Sequence, residues 1–124
     1  MRLNHLNLVV TDVQKCIDLF THYFEFKCAE TKGDNIIVIL KNEDDFTLVI
    51  MSSKENIQYP PAFHIGFMQE NIETVNQLYE NLKTGVIDVG HVPRKIRDTY
   101  GFYFTFDNIL IEVGHYINGD KNFL

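Results

Sequence analysis

A shift of 59 residues lays the chain on itself: His5 falls on His64, Leu8 on Phe67, Val13 on Ile72, Cys16 on Val75 and Phe20 on Tyr79. An apolar pattern repeated at this period means two copies of one structural unit, each burying the same faces. Both copies open on a short strand. Successive side chains of a strand alternate, so Leu6, Leu8 and Val10 oppose His5 and Asn7, and Phe63, Ile65 and Phe67 oppose His64, Gly66 and Met68.

The rest of each unit follows in order. Val13, Cys16, Ile17, Phe20, Tyr23 and Phe24 recur at three- and four-residue spacing, which predicts a helix from about Asp12 to Phe24, N-capped by Thr11. Three strands are expected next, Phe26 to Glu30, Ile36 to Leu40 and Phe46 to Met51, joined by turns short enough to imply antiparallel hairpins. Residues 54–61, with Pro60-Pro61, read as a linker. The second copy runs through a strand from Ala62 to Met68 and a helix from about Asn71 to Lys83. Gly85 is the expected left-handed residue after that helix, and strands follow near Val86 to Val89, Phe102 to Phe106 and Ile109 to Gly114. The pattern predicts an α+β fold: one domain of two tandem βαβββ modules, residues 1–53 and 62–116, with a tail over 117–124. The modules should form a curved mixed sheet around a concave cavity, into which His5 and His64 look.

Composition narrows the partners. The net charge of −6 is scattered along the 124 residues, leaving no basic footprint for nucleic acid or for an anionic membrane. Neither is expected as a partner. Cys16 and Cys28 fit no disulfide framework or zinc knuckle and read as reduced thiols of a cytoplasmic protein. The apolar run Leu6 to Val10 is too short for a signal peptide, and no stretch approaches the roughly 18 apolar residues of a membrane helix.

Two histidines and a glutamate stand out because of where they fall. Glu112 lies among Ile109, Ile111 and Val113, and a carboxylate buried there without a partner costs several kcal/mol or takes up a proton. With the repeat-related His5 and His64 it suggests one site. The run Arg94-Lys95-Ile96-Arg97-Asp98-Thr99-Tyr100 reads as a loop over the cavity, with Arg94 or Arg97 available to an anionic ligand and Tyr100 or Tyr103 as hydrogen-bond donors. His22 reads as structural, and His91 and His115 have no repeat mates.

Paired strand-helix-three-strand modules, a His in each first strand, and Phe102-Tyr103-Phe104 turning into Ile111-Glu112-Val113 resemble the vicinal oxygen chelate superfamily. That group includes glyoxalase I, bleomycin-resistance proteins, fosfomycin-resistance enzymes, methylmalonyl-CoA epimerases and extradiol dioxygenases. The resemblance spans roughly residues 1 to 116. It implies a divalent-metal site that binds two neighbouring oxygens of a small molecule, with His5, His64 and Glu112 as ligands, Glu112 also catalytic, and Thr47, Arg97, Tyr100 and Tyr103 around the substrate.

The fourth corner of the site falls on Val49, which has no ligand atom, so the set is two His and one carboxylate, suited to Zn, Ni, Mn, Fe or Co. The last hairpin, Phe106-Asp107-Asn108, departs from the family's usual Asp-Pro-Asp-Gly-Asn. The resemblance further implies a homodimer whose subunits share their sites. Two functions remain open: a metal-dependent lyase, isomerase or dioxygenase, and a metal-free protein that sequesters a small molecule, as bleomycin-resistance proteins do.

Overall fold

The computed structural model describes residues 1–34 and 36–117, so Asn35 and all but the first residue of the 117–124 tail lie outside it. The chain divides into two compact units, Met1–Tyr59 and Pro60–Leu124. That division falls inside the stretch 54–61. Each unit is a βαβββ module with its own four-stranded mixed sheet.

In the first unit, β1 (His5–Val10) leads into α1 (Val13–Tyr23), followed by β2 (Lys27–Lys32), β3 (Ile37–Lys41) and β4 (Thr47–Ser52), in the sheet order β1-β4-β3-β2. β1 pairs parallel with β4, while β2·β3 and β3·β4 are antiparallel, as short hairpin turns require. The cap of α1 is Asp12 rather than Thr11. Its carboxylate accepts the Lys15 N–H at 3.1 Å, satisfying one of the open donors at the positive helix end. Val13, Cys16, Ile17, Leu19 and Phe20 are buried, and Phe20 meets the rings of Phe24 and Phe26 at 6.1 and 6.2 Å. The stretch 54–61 is tied back at Tyr59, whose phenol accepts the Val9 N–H at 2.8 Å and donates to the Val9 carbonyl at 3.2 Å.

The second unit repeats the plan with β5 (His64–Met68), α2 (Ile72–Thr84), β6 (Arg94–Ile96), β7 (Thr99–Phe106) and β8 (Ile109–Tyr116), in the order β5-β8-β7-β6. Asn71 caps α2 by accepting the Thr74 N–H at 2.8 Å. The helix buries Val75, Tyr79 and Leu82, with the Tyr79 ring edge-on to Phe102 at 5.4 Å. Phe102, Phe104, Ile109, Ile111 and Val113 complete this core. The two-residue turn Asp107-Asn108 closes the β7–β8 hairpin, with Asp107 in the left-handed region. No helix among the described residues is long and apolar enough to cross a membrane.

The expected strand at Val86–Val89 is not formed. Gly85 has an ordinary φ of −78°, and the left-handed residue is Val86, at φ 64°. The Val86 N–H bonds the Lys83 carbonyl and the Ile87 N–H bonds the Leu82 carbonyl, the two bonds of a Schellman motif shifted one residue past the glycine. The chain leaves this turn as irregular backbone and enters the sheet only at Arg94–Ile96, within the segment expected to be a loop.

A β-branched residue in the left-handed region costs about 1–2 kcal/mol, part of which a glycine loses again through its freer unfolded state. Val86 is 91% exposed, so truncating it removes almost no packing. Val86→Gly should therefore raise the unfolding free energy by about 0.5–1 kcal/mol. Urea denaturation checks this, and an unchanged or lowered midpoint would refute the strain.

Candidate metal centre

One face of the second sheet packs on α2, and alternation assigns the other face its side chains. The register sets Gly66 beside Glu112, Tyr103 across from Glu112, and Gly101 across from Gly114. His64, Glu112 and Tyr103 therefore share the face turned away from the helix. Gly101 makes this close pairing possible, since a Cβ there would fall 2.1 Å from the Val113 carbonyl oxygen. Gly66 and Gly114 leave room for the carboxylate, whose oxygens would lie 3.5 Å from a Cβ at either position.

Within this group, His64 Nε2 lies 3.3 Å from Glu112 Oε1, and the two side chains are 38% and 12% exposed. His64 Nδ1 is 3.0 Å from the Ala62 carbonyl, an acceptor only, so Nδ1 carries the proton and donates. In neutral imidazole this leaves the Nε2 lone pair turned toward the carboxylate oxygen. Two lone pairs at that distance repel unless a cation lies between or beside them, either a proton on Nε2 or a metal ion. Fixing the tautomer through the far nitrogen is the arrangement that metal-ligating histidines use.

Tyr103 completes the cluster. Its phenol donates a hydrogen bond to Glu112, and its ring stands edge-on to His64 at 5.5 Å. Burial is the largest cause holding this phenol above its usual pKa of 10.0, followed by the hydrogen bond to Glu112 and that group's negative charge, while Arg97 pulls the other way. A cavity of about 500 Å³ opens beside it, lined by residues 96–99 with Tyr103, Glu112 and Tyr116. Arg97 stands in the two-residue β6–β7 turn at φ 56°, a left-handed position unusual for arginine.

The expected site residues thus fall into three groups. Glu112, Tyr103 and Arg97 line this cavity, and His64 stands beside Glu112 and Tyr103. Tyr100 does not: alternation turns it to the helix side of β7, where its hydroxyl donates to Asn76 of α2 at 2.7 Å. It belongs to the packing of α2 and not to the Glu112 face. His5 and Thr47 are in the first unit, as neighbours across the β1–β4 pair.

The parallel registers also relate the modules residue by residue. Asn7 pairs with Val49 as Gly66 pairs with Glu112, so Val49 holds the carboxylate's position in the first unit. Among the described residues, no group of three or more His, Cys, Asp and Glu side chains is arranged to hold a metal.

Two residues escaped the sequence reading. Tyr116, four positions after Glu112 and on the same face, lines the cavity, and strand alternation was signal enough to find it. His91 accepts the Tyr103 backbone N–H at Nε2, 3.3 Å away, a contact with no local signature.

The model of the Glyoxalase/Bleomycin resistance protein/Dioxygenase superfamily matches residues 2–113. A possible glyoxalase from Bacillus cereus shares 35% sequence identity at a TM-score of 0.76, over 91% of this chain and 97% of that one. The chain belongs to this superfamily. None of the curated proteins matches it.

More distant members show the fold alone. A mutant of the fosfomycin resistance protein FosX from Listeria monocytogenes, complexed with Mn(II) and 1S,2S-dihydroxypropylphosphonic acid, is 23% identical at a TM-score of 0.75, over 98% of this chain and 95% of that one. Lactoylglutathione lyase from Agrobacterium tumefaciens is 16% identical at a TM-score of 0.71, over 92% of each chain.

In the second module, ionisation of the Tyr103 phenol opposes folding. The folded protein keeps the Tyr103 proton at pH values where the unfolded chain has begun to lose it. Its stabilisation is whole below the ordinary tyrosine value and disappears as pH rises through the higher folded one. Spectrophotometric titration of the wild type minus Tyr103→Phe should show one phenol ionising above the exposed tyrosines. A difference curve centred at or below their midpoint would contradict the burial and hydrogen bond described.

Proposed function

We propose that the chain is a divalent-metal-dependent enzyme acting on a small oxygenated metabolite, with His5, His64 and Glu112 as the metal ligands. The observation that carries this reading is the pair formed by His64 Nε2 and Glu112 Oε1 at 3.3 Å, with Nδ1 committed to the Ala62 carbonyl. Two imidazoles and a carboxylate with open coordination positions fit Zn, Ni, Mn, Fe or Co, and the donor types do not choose among them. When bound, such an ion supplies Lewis acidity to two neighbouring oxygens of the substrate.

The chain's own groups divide the remaining work. Glu112 is both ligand and a carboxylate of the cavity wall, and so the base for a proton beside the chelated oxygens. Arg97 on the cavity wall offers a planar cation to an anionic substituent, Tyr103 presents a hydroxyl, and Ile96 and Tyr116 add apolar surface to the wall. Thr47, beside His5 across the β1–β4 pair, adds a hydroxyl from the first module. The reading includes a cytoplasmic homodimer with shared sites, in which His5 of the partner subunit joins His64 and Glu112. A second reading, metal-free sequestration of a small molecule in the same cavity, is favoured by Val49, the apolar counterpart of Glu112 in the first unit.

Metal content and affinity of the chelator-stripped protein separate the two. Stoichiometric binding is expected. His64→Ala and Glu112→Gln should each weaken it by more than the roughly 10- to 100-fold that loss of an outer-shell partner costs. Wild-type protein that takes up no divalent ion, or variants that bind as tightly as wild type, would leave sequestration as the function.

A further inference from the structure

We propose that Tyr103 is a positioning residue for the carboxylate of Glu112, and that His91 is the anchor holding Tyr103 in place. The inference rests on the reading of His64 and Glu112 as ligands. It moves Tyr103 from the substrate's surroundings to the support of the ligand itself.

Three observations carry it. First, the phenol touches both ligand-type residues of this unit, donating to the Glu112 carboxylate and standing edge-on to the His64 ring at 5.5 Å. A glutamate side chain has several rotamers open to it, and a donor fixed on the neighbouring strand removes most of that freedom before an ion arrives.

Second, the support of Tyr103 is built separately from the sheet. β6 pairs with β7 only from Thr99 to Gly101, so the edge of β7 has no strand beside it at Tyr103. His91 fills that place. Its Nδ1 donates to the Val92 carbonyl at 2.8 Å, which leaves Nε2 to accept the Tyr103 N–H at 3.3 Å. Gly90, at φ 68°, brings the chain so near that a Cβ there would lie 3.4 Å from the Tyr103 carbonyl oxygen.

Third, the two modules vary together at these positions. Tyr103 pairs with Glu112 in β7·β8, and Ile39 pairs with Val49 in the equivalent β3·β4. Where the carboxylate is absent, so is the phenol. A tyrosine kept only to pack against its sheet has no reason to disappear with the carboxylate.

The test uses the full chain, stripped of metal, with Co²⁺ as the probe and two readouts, its affinity and the visible absorption of the bound ion. Tyr103→Phe keeps the ring and should lower Co²⁺ affinity roughly 10-fold, the lower end of an outer-shell loss, and alter the visible band. His91→Ala should lower affinity in the same direction. His91→Gln, whose amide oxygen can accept the Tyr103 N–H, should recover most of that loss. The circular dichroism of the metal-free variants should match wild type, and their thermal midpoints, lowered by the lost hydrogen bonds, should stay well above the temperature of the binding measurement.

The positioning role is overturned if Tyr103→Phe binds Co²⁺ with wild-type affinity and spectrum while Glu112→Gln does not. A wild-type result for His91→Ala overturns the anchor. Wild-type protein that binds no Co²⁺, or Glu112→Gln that binds it unchanged, overturns the metal reading and this proposal with it.

Discussion

The parallel pairing of β5 with β8 is the contact on which the candidate centre depends. Parallel neighbours cannot be joined by a tight turn, so the chain must travel through α2, β6 and β7 before β8 comes to lie along β5. The register of that pairing, His64 beside Leu110 and Gly66 beside Glu112, brings an imidazole and a carboxylate over two glycines. A slip of one residue would send Glu112 into the face packed by α2, where Ile111 and Val113 now lie, and every charged group of the cluster would lose its partner. The apolar alternation of β8 holds the register, and Gly101 lets β7 close against it.

The first module has the same scaffold without the same chemistry. Its parallel register sets Val49 at the carboxylate position and Ile39 across from it, so that β1 and β4 bring only His5, Asn7 and Thr47 as polar groups to that face. Asn7 there donates to the sulfur of Met51 at 3.2 Å, a weak acceptor. Duplicating one module therefore supplies two similar walls of unlike polarity. Only the second holds a mostly buried carboxylate, beside a phenol that donates to it and in the space that Gly66 and Gly114 leave open.

Much of this was legible in the sequence because the signals were periodic. Both described helices follow from apolar spacing, seven of the eight described strands from alternation and turn residues, and His64 and Glu112 from being polar where their neighbours are not. The failures are equally physical. Val86–Val89 has the composition of a strand, but the left-handed residue that terminates α2 is Val86, one past Gly85, and the resulting turn sends the chain along the sheet edge without pairing. Arg94–Ile96 has the composition of a loop and is a strand because β7 offers it a free edge. Tyr100 and Tyr103 look alike in sequence, yet three residues along a strand reverses the face, which gives one to Asn76 and the other to Glu112. His91 has no pattern at all. Its role exists only because β6 is three residues long and stops short of Tyr103.

The irregular segment between α2 and β6 is then part of the site's construction rather than a gap in the fold. A longer β6 would supply the Tyr103 N–H with a backbone carbonyl, but it would also occupy the edge along which residues 90–92 now run. A side chain in place of a strand leaves the β6–β7 hairpin short and puts its turn, with Arg97 at its tip, beside the cavity that Glu112 faces. The left-handed Val86 and Gly90 are the two bends that steer the segment there. Strain at an exposed valine is small beside what the path secures: a strand edge satisfied at Tyr103, a phenol aimed at the carboxylate, and an open mouth where a ligand can reach both.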